Sequence, residues 1–134
     1  GVRIGCLGGA DSPDRAMRTE GVSWFPEETI AYDDQARLVE AHLEEGVDLL
    51  ATHTPPATVV RQMGIFEPSP SDRAVEAVWR ELGTPPLVCG HMHERRSLGR
   101  VHVLGELDVW VPDLVLELGA HTRPSGPDDA GRSP

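Results

Sequence analysis

The chain has 134 residues, enough for one domain with a sizeable buried core. Its formal charge of −10 disfavours tight, non-specific binding to nucleic acid, because phosphate contacts need a basic surface, although a nuclease that holds divalent cations is not excluded. Since no stretch is long and apolar enough for a signal peptide or a membrane span, we expect a cytoplasmic protein without a membrane partner.

The first predicted strand covers residues 2–7, where apolar side chains alternate with other residues before Gly8 and Gly9 break the pattern. A long loop is predicted over residues 10–32, and loops of this length in a compact domain are usually functional or poorly ordered. We expect Trp24 to pack into the core and hold this loop down. The alternative is that Trp24 forms a wall of a substrate cleft.

Two amphipathic helices are predicted further along the chain. Asp33 or Asp34 can cap the first helix, which ends before Gly46. Ser71 can cap the second, over residues 72–82, whose apolar stripe at helical intervals indicates packing against a sheet. Because strands are predicted before, between and after these helices, the order of elements favours an α/β fold.

Two closing strands are predicted, over residues 101–104 and 109–118. Residues 121–134 are rich in Pro, Ser, Gly, Asp and Arg and predict a disordered tail. The cysteines, Cys6 and Cys89, lie in apolar runs without C-x-x-C spacing, so we expect two small buried, unpaired side chains. A disulfide between them is the less favoured alternative.

Two of the predicted buried strands end in histidine. One apolar run leads directly to His53, and a second stops at Gly90 and is followed by His91 and His93. In α/β proteins ligands usually bind at this end of the strands, and neutral imidazole is a common ligand of Zn, Mn, Fe and Ni. The pattern therefore predicts a metal site formed by these histidines. The alternative is that they are polar residues at strand ends, bonded to backbone or water.

The order of these motifs resembles the C-terminal half of the calcineurin-like metallophosphoesterases. T-H-x-P-P at residues 52–56 and G-H-x-H at residues 90–93 are similar to the last two motifs of that family. The glycine pair and the W-x-P-E-E element within residues 8–28 are similar to the stretch after its third motif. The resemblance implies a partial domain over residues 1–120, built as the C-terminal half of an α/β/β/α sandwich with mixed sheets.

The first three motifs of the family, D-x-H, G-D-x-x-D and G-N-H-[DE], are missing, and the chain contains no Asn. In the complete domain the resemblance implies two divalent metals (Mn, Zn, Fe or Ni), with His53 and His91 on one metal and His93 on the other. It also implies hydrolysis of a phosphomonoester or phosphodiester by metal-activated water. The catalytic residues stay unknown because they belong to the missing motifs, which we expect upstream in a longer protein, so we expect this chain alone to be weakly active or inactive.

Charged residues near these motifs allow two readings. Arg95 and Arg96 follow His93 closely, and they are interpreted either as a solvated turn, which we favour, or as a phosphate-binding patch. Asp11, Asp14 and Glu94 are the nearest carboxylates that could replace the missing ligands, but their spacing gives no support for that role.

Two further hypotheses remain beside the phosphoesterase. One is a truncated, non-catalytic remnant that acts as a binding module, and the other is a protein with a single metal held by three histidines. Besides a phosphoester substrate, the expected partners are the missing N-terminal half or a second copy of the chain. Self-association is expected because half of a sandwich would expose apolar sheet surface.

Overall fold

The computed structural model describes residues 1–65 and 67–112. Within them the chain forms an α/β fold with a mixed five-stranded sheet and three α-helices, as predicted for the fold class. The strands are β1 (Ile4–Leu7), β2 (Leu49–Thr52), β3 (Leu87–Cys89), β4 (Arg96–Leu98) and β5 (Val101–Val103). The helices are α1 (Tyr32–His42), α2 (Ala57–Gln62) and α3 (Pro70–Glu81). None of these helices is long and apolar enough to cross a membrane.

The sheet places the ends of three strands side by side. Its order is β1-β2-β3-β5-β4, and all neighbouring pairs are parallel except β4 with β5. In the register, Leu7 pairs with Thr52, and Ala51 pairs with Val88. The carboxyl ends of β1, β2 and β3 therefore meet at one edge of the sheet, where ligands usually bind in α/β folds.

One face of the sheet is buried under the helices. Leu50 and Leu87 at its centre have no exposed surface, and they belong to the same core cluster as Val75 and Val78 of α3. Side chains alternate between the two faces of a strand, so the residues between these core positions point the other way. On that face, which we call the open face, Ile4 on the edge strand is 53% exposed, whereas its neighbour Leu49 is only 7% exposed.

The cysteines differ in environment, although both were expected to be buried. Cys6 is exposed and lies on the open face, because it alternates with the buried Leu7 on β1. Cys89 faces the core, and burial raises the pKa of its thiol to about 12. Both are free cysteines, in agreement with the expected absence of a disulfide.

Helix α3 begins two residues earlier than predicted, and the prediction that Ser71 caps it is wrong. Ser69 is the N-cap: its Oγ accepts a hydrogen bond from the backbone N–H of Asp72 (3.1 Å), and the Asp72 carboxylate accepts one from the N–H of Ser69 (2.7 Å). Pro70 occupies the first helical position, where its missing N–H costs nothing. The reciprocal bonds form a capping box.

Helix α1 also starts differently from the prediction. Its N-cap is Ala31, which makes no side-chain capping bond, and Asp33 and Asp34 lie in the first turn instead. There the two carboxylates are placed favourably for the positive end of the helix dipole. The helix ends at His42, a few residues before Gly46, whose φ of +74° suits glycine at a helix end.

The predicted long loop between β1 and α1 is present, and it contains two short 3₁₀ turns, Arg15–Met17 and Pro26–Glu28. Trp24 is only 6% exposed, so the expectation that it is a packed anchor is confirmed. The guanidinium carbon of Arg15 lies 3.9 Å from the centroid of the Trp24 ring, which is a cation–π contact within the loop.

Two predictions fall wholly or partly outside the described residues. Residues 109–112 form no strand, and residues 113–118 of the predicted closing strand are not described. The predicted tail over residues 121–134 also lies outside the described part. The first closing strand is present as β5. Its antiparallel neighbour is β4, a strand that was not predicted from the sequence.

Candidate metal centre

His53 and His91 lie next to each other at the carboxyl edge of the sheet. His53 directly follows β2, and His91 follows β3 after Gly90. Because these two strands pair in parallel, both residues lie just beyond the same edge of the sheet. The backbone N–H of Gly90 donates to the carbonyl of His53 (3.0 Å) and extends this alignment past the strand ends. As a result Nδ1 of His91 lies 3.2 Å from Nε2 of His53.

The backbone that carries the later histidines is strained. His91 has φ of +66° and His93 has φ of +54°, in the left-handed region that non-glycine residues seldom adopt. Around His91 the chain makes a three-residue turn, in which the N–H of Met92 donates to the carbonyl of Gly90 (2.8 Å). Each such residue costs about 1–2 kcal/mol, and strain of this kind concentrates at functional sites.

The surroundings of His91 favour the neutral form of its imidazole. Partial burial lowers the pKa of its imidazole, and the neighbouring His53 lowers it further. A neutral imidazole keeps a lone pair on one ring nitrogen, which is the form that binds metals.

The spacing of the two imidazoles fits one shared cation. Two nitrogens bound to one tetrahedral zinc at about 2.0–2.1 Å are roughly 3.3 Å apart, close to the 3.2 Å between His53 and His91. In residues 1–65 and 67–112, however, no group of three or more His, Cys, Asp or Glu side chains is close enough to hold a metal ion. The described chain thus supplies a pair of ligands.

His93 takes a separate position. Its Nδ1 lies 2.8 Å from Oε1 of Glu106, and both side chains are largely exposed. Histidines that bind metals commonly donate their second N–H to a carboxylate, which fixes the tautomer and leaves the other nitrogen free to bind. Glu106 was not identified from the sequence, because nothing in its spacing from His93 indicates the contact.

A cavity of about 790 Å³ connects the three histidines with the loop after β1. His53, His91 and His93 all border it. The rest of its lining comes from the loop: Gly8, Gly9, Ala10, Ser12, Pro13, Asp14, Arg18, Glu27 and Glu28. The cavity therefore combines imidazoles, carboxylates and a guanidinium, a set that suits cations and, once cations are bound, anionic groups.

No family model, curated protein or solved structure matches the chain. The resemblance to the calcineurin-like metallophosphoesterases therefore stays a prediction that rests on the sequence motifs.

Gly9 allows the loop to approach the strand end. Its φ is +114°, and a Cβ at this position would lie 2.6 Å from the carbonyl oxygen of Glu28. That carbonyl accepts the N–H of Ala10 (2.9 Å). Only glycine fits this close approach, which brings the two ends of the loop together beside the histidines.

The three carboxylates considered as replacement ligands already have partners. Asp11 accepts hydrogen bonds from the Thr29 hydroxyl (2.9 Å) and the Ser71 backbone N–H (2.8 Å), which hold the loop against α3. Although burial alone would raise the pKa of Asp11, hydrogen bonds from Ser71 first, and then from Thr29 and Ser69, outweigh it, and the pKa is lowered. The remaining two carboxylates form ion pairs, Asp14 with Arg18 (2.8 Å) and Glu94 with Arg96 (2.7 Å).

The predicted substrate-binding arginines lie outside the cavity lining. Arg95 is 3.7 Å from Asp108, and Arg96, the first residue of β4, pairs with Glu94. Arg18, which the sequence did not single out, does line the cavity, and its Nη1 donates to the carbonyl of Ser23 (3.1 Å). The fold of the loop, rather than sequence distance from the histidines, brings this arginine to the site.

Proposed function

We propose that the chain carries the histidine part of a two-metal phosphoesterase site, and that the complete protein hydrolyses a phosphomonoester or a phosphodiester. The carrying observation is the 3.2 Å between the ring nitrogens of His53 and His91 at the carboxyl edge of a parallel sheet. Strained backbone at His91 and the adjoining cavity support the same assignment, because both are features of functional sites.

Each histidine has a role in this proposal. Two divalent cations would polarise the phosphoryl group and lower the pKa of an attacking water. His53 and His91 hold one cation through the facing nitrogens. His93, whose Nδ1 proton is kept by Glu106, offers Nε2 to the second. Carboxylate ligands are also needed, because neutral imidazoles cannot offset the repulsion between two dications, and we place them in motifs upstream of this chain.

The cavity can bind an anionic substrate only when cations are also bound in it. Asp14, Glu27 and Glu28 give its wall a negative charge that repels phosphate, and Arg18 compensates only part of it. Arg18 is placed to contact a phosphate oxygen, since the two contacts of its guanidinium in the described chain use two of five N–H donors. Arg95 and Arg96 would serve substrate groups outside the cavity.

A second candidate function is a protein with one metal and no hydrolytic activity. The separation of the His53 and His91 nitrogens suits a single cation, while Glu106 engages His93 at its exposed position. In that case a single cation would be bound without a second one nearby.

Metal stoichiometry and activity together separate the candidates. The complete reading frame is expressed, its metals are counted, and manganese-dependent hydrolysis of an aryl phosphodiester is measured, with His91→Ala beside it. Two metals per protein and activity that is lost in the variant are expected. One metal without hydrolysis would favour the second candidate, and absence of any metal would overturn both. His42→Ala is the matched control, because His42 ends α1 and does not border the cavity.

A further inference from the structure

The N-terminus of α3 contacts the loop that carries His53. Asp72, in the first turn of α3, is only 7% exposed, and its two oxygens bind different partners. Oδ2 accepts the backbone N–H of Ser69 (2.7 Å) as part of the capping box. Oδ1 accepts the hydroxyl of Thr54 (2.5 Å), the residue after His53. The helix cap uses only one oxygen, so the bond to Thr54 is a separate contact.

Thr54 fixes the backbone on both sides of His53. Thr54 is 1% exposed, and its carbonyl accepts a hydrogen bond from the hydroxyl of Thr52 (2.7 Å). The residues on both sides of His53 are therefore hydrogen-bonded. Pro55 and Pro56 follow, and both are fully buried. Because proline fixes φ, the loop after His53 has little freedom to rearrange.

A backbone hydrogen bond couples the position of His53 to that of His91. The carbonyl of His53 accepts the N–H of Gly90 (3.0 Å), the residue before His91. A shift of the His53 backbone would therefore stretch this bond and change the 3.2 Å between the two imidazole nitrogens. The contacts form a continuous path from Asp72 through Thr54 and His53 to His91.

We propose that Asp72 is a positioning residue of the metal site, which acts through the Thr54 hydroxyl to set the distance between His53 and His91. This inference rests on the proposed function. A buried carboxylate is unfavourable unless it is fully hydrogen-bonded, and a helix cap alone does not require burial. The bond to Thr54 gives the second oxygen of Asp72 a partner and the His53 loop a fixed anchor. Outer residues of this kind commonly change metal affinity by about 10–100-fold.

Thr54→Val tests the proposal, because it removes the hydroxyl while keeping the shape of the side chain and the capping box. Ser69→Ala is the matched control, since it removes the cap oxygen and leaves the Asp72–Thr54 bond. Thr54→Ser is the conservative variant that keeps the hydroxyl. For each variant we would measure the affinity for Co²⁺ by titration, the Co²⁺ absorption spectrum and the unfolding free energy.

We expect Thr54→Val to lower Co²⁺ affinity about 10–100-fold and to alter the spectrum. Thr54→Ser should restore affinity to within a few-fold of the original chain. Ser69→Ala should lower stability with affinity and spectrum unchanged. The proposal would be overturned if Thr54→Val left the affinity unchanged, or if both Thr54→Val and Ser69→Ala lowered affinity in proportion to their loss of stability.

A metal-free measurement separates this inference from the proposed function. The distance between the His53 and His91 rings is followed by nuclear Overhauser contacts in the original chain and in Thr54→Val. Loss of these contacts in the variant would support a positioning role even if the chain bound no cation, an outcome that would count against the metal site alone. Unchanged contacts would refute the positioning role.

Discussion

Nδ1 of His91 lies 3.2 Å from Nε2 of His53, although 38 positions separate the two residues in the chain. Parallel pairing of β2 with β3 and the bond between Gly90 and His53 bring the backbones of the two residues together. At this distance the two nitrogens either share a proton or bind the same cation, and the rings cannot both be charged without strong repulsion.

Replacement of either imidazole should remove most of the metal affinity. His53→Ala and His91→Ala each delete one of two converging ligands, so each should weaken Zn²⁺ binding by more than the roughly 100-fold that outer residues reach. Isothermal titration of the purified chain measures the effect. His42→Ala should bind as the original chain does. Equal affinity of His91→Ala and the original chain would exclude this pair as the binding site.

The pKa of His91 should be lower than that of an ordinary histidine. Burial is the main cause and the neighbouring His53 the second, so His53→Gln should move the pKa of His91 back upward in part. Because the pKa is lowered in the folded state, the contribution of His91 to stability is present above its unfolded pKa of about 6.5 and is lost as the pH falls below it.

An NMR titration of the imidazole carbons in the metal-free chain measures this pKa directly. His42→Ala in the same experiment assigns its signal and removes it from the spectrum. A pKa of His91 at or above 6.5 would contradict the expectation.

Asp11 should stabilise the loop that forms the cavity wall. Its carboxylate accepts bonds from Thr29 and from the N–H of Ser71, so Asp11→Ala leaves two donors without a partner and should lower the free energy of unfolding by about 1–2 kcal/mol. Since these bonds lower the pKa of Asp11, its contribution is present above the unfolded pKa of about 3.9 and is lost as the pH falls through the lower folded value.

Urea unfolding at neutral pH and near pH 3 tests both statements. The difference between Asp11→Ala and the original chain should shrink in acid. Glu44→Ala, at an exposed carboxylate after the end of α1, is the control and should change stability by no more than about 0.5 kcal/mol. A loss of stability that is equal at both pH values would argue against the carboxylate as its source.

The strand ends and their histidines could be predicted from the sequence because both depend on local patterns. A short apolar run that stops at Gly90 or leads to His53 specifies where a strand ends, and parallel pairing then brings the ends together. The cap of α3 was missed because Ser69 and Ser71 flank Pro70 and both are good caps. The capping box between Ser69 and Asp72, with Pro70 at the first helical position, selects Ser69, while Ser71 bonds to Asp11 and Ile30 across the loop.

Contacts between side chains that are far apart in the chain could not be predicted from the sequence. Glu106 reaches His93 through the turn after β5, and Arg18 reaches the cavity through the fold of a long loop, with no periodicity or spacing to indicate either. Exposure of Cys6 was missed for a related reason. The alternating pattern of β1 predicts that its side chains point to two faces of the sheet. The sequence does not indicate that the helices cover only one of these faces.

The open face of the sheet should make the isolated chain associate. Ile4 on this face is 53% exposed, and β1 is an edge strand of the sheet in the described part of the chain, with backbone groups available for pairing. Ile4→Lys adds a charge to the face and should shift sedimentation velocity profiles toward the monomer. Leu107→Lys is the matched control, because Leu107 is 97% exposed and lies on no strand, so it should leave the profiles unchanged. A monomer at all concentrations, with a sharp melting transition that does not depend on concentration, would contradict association through this face.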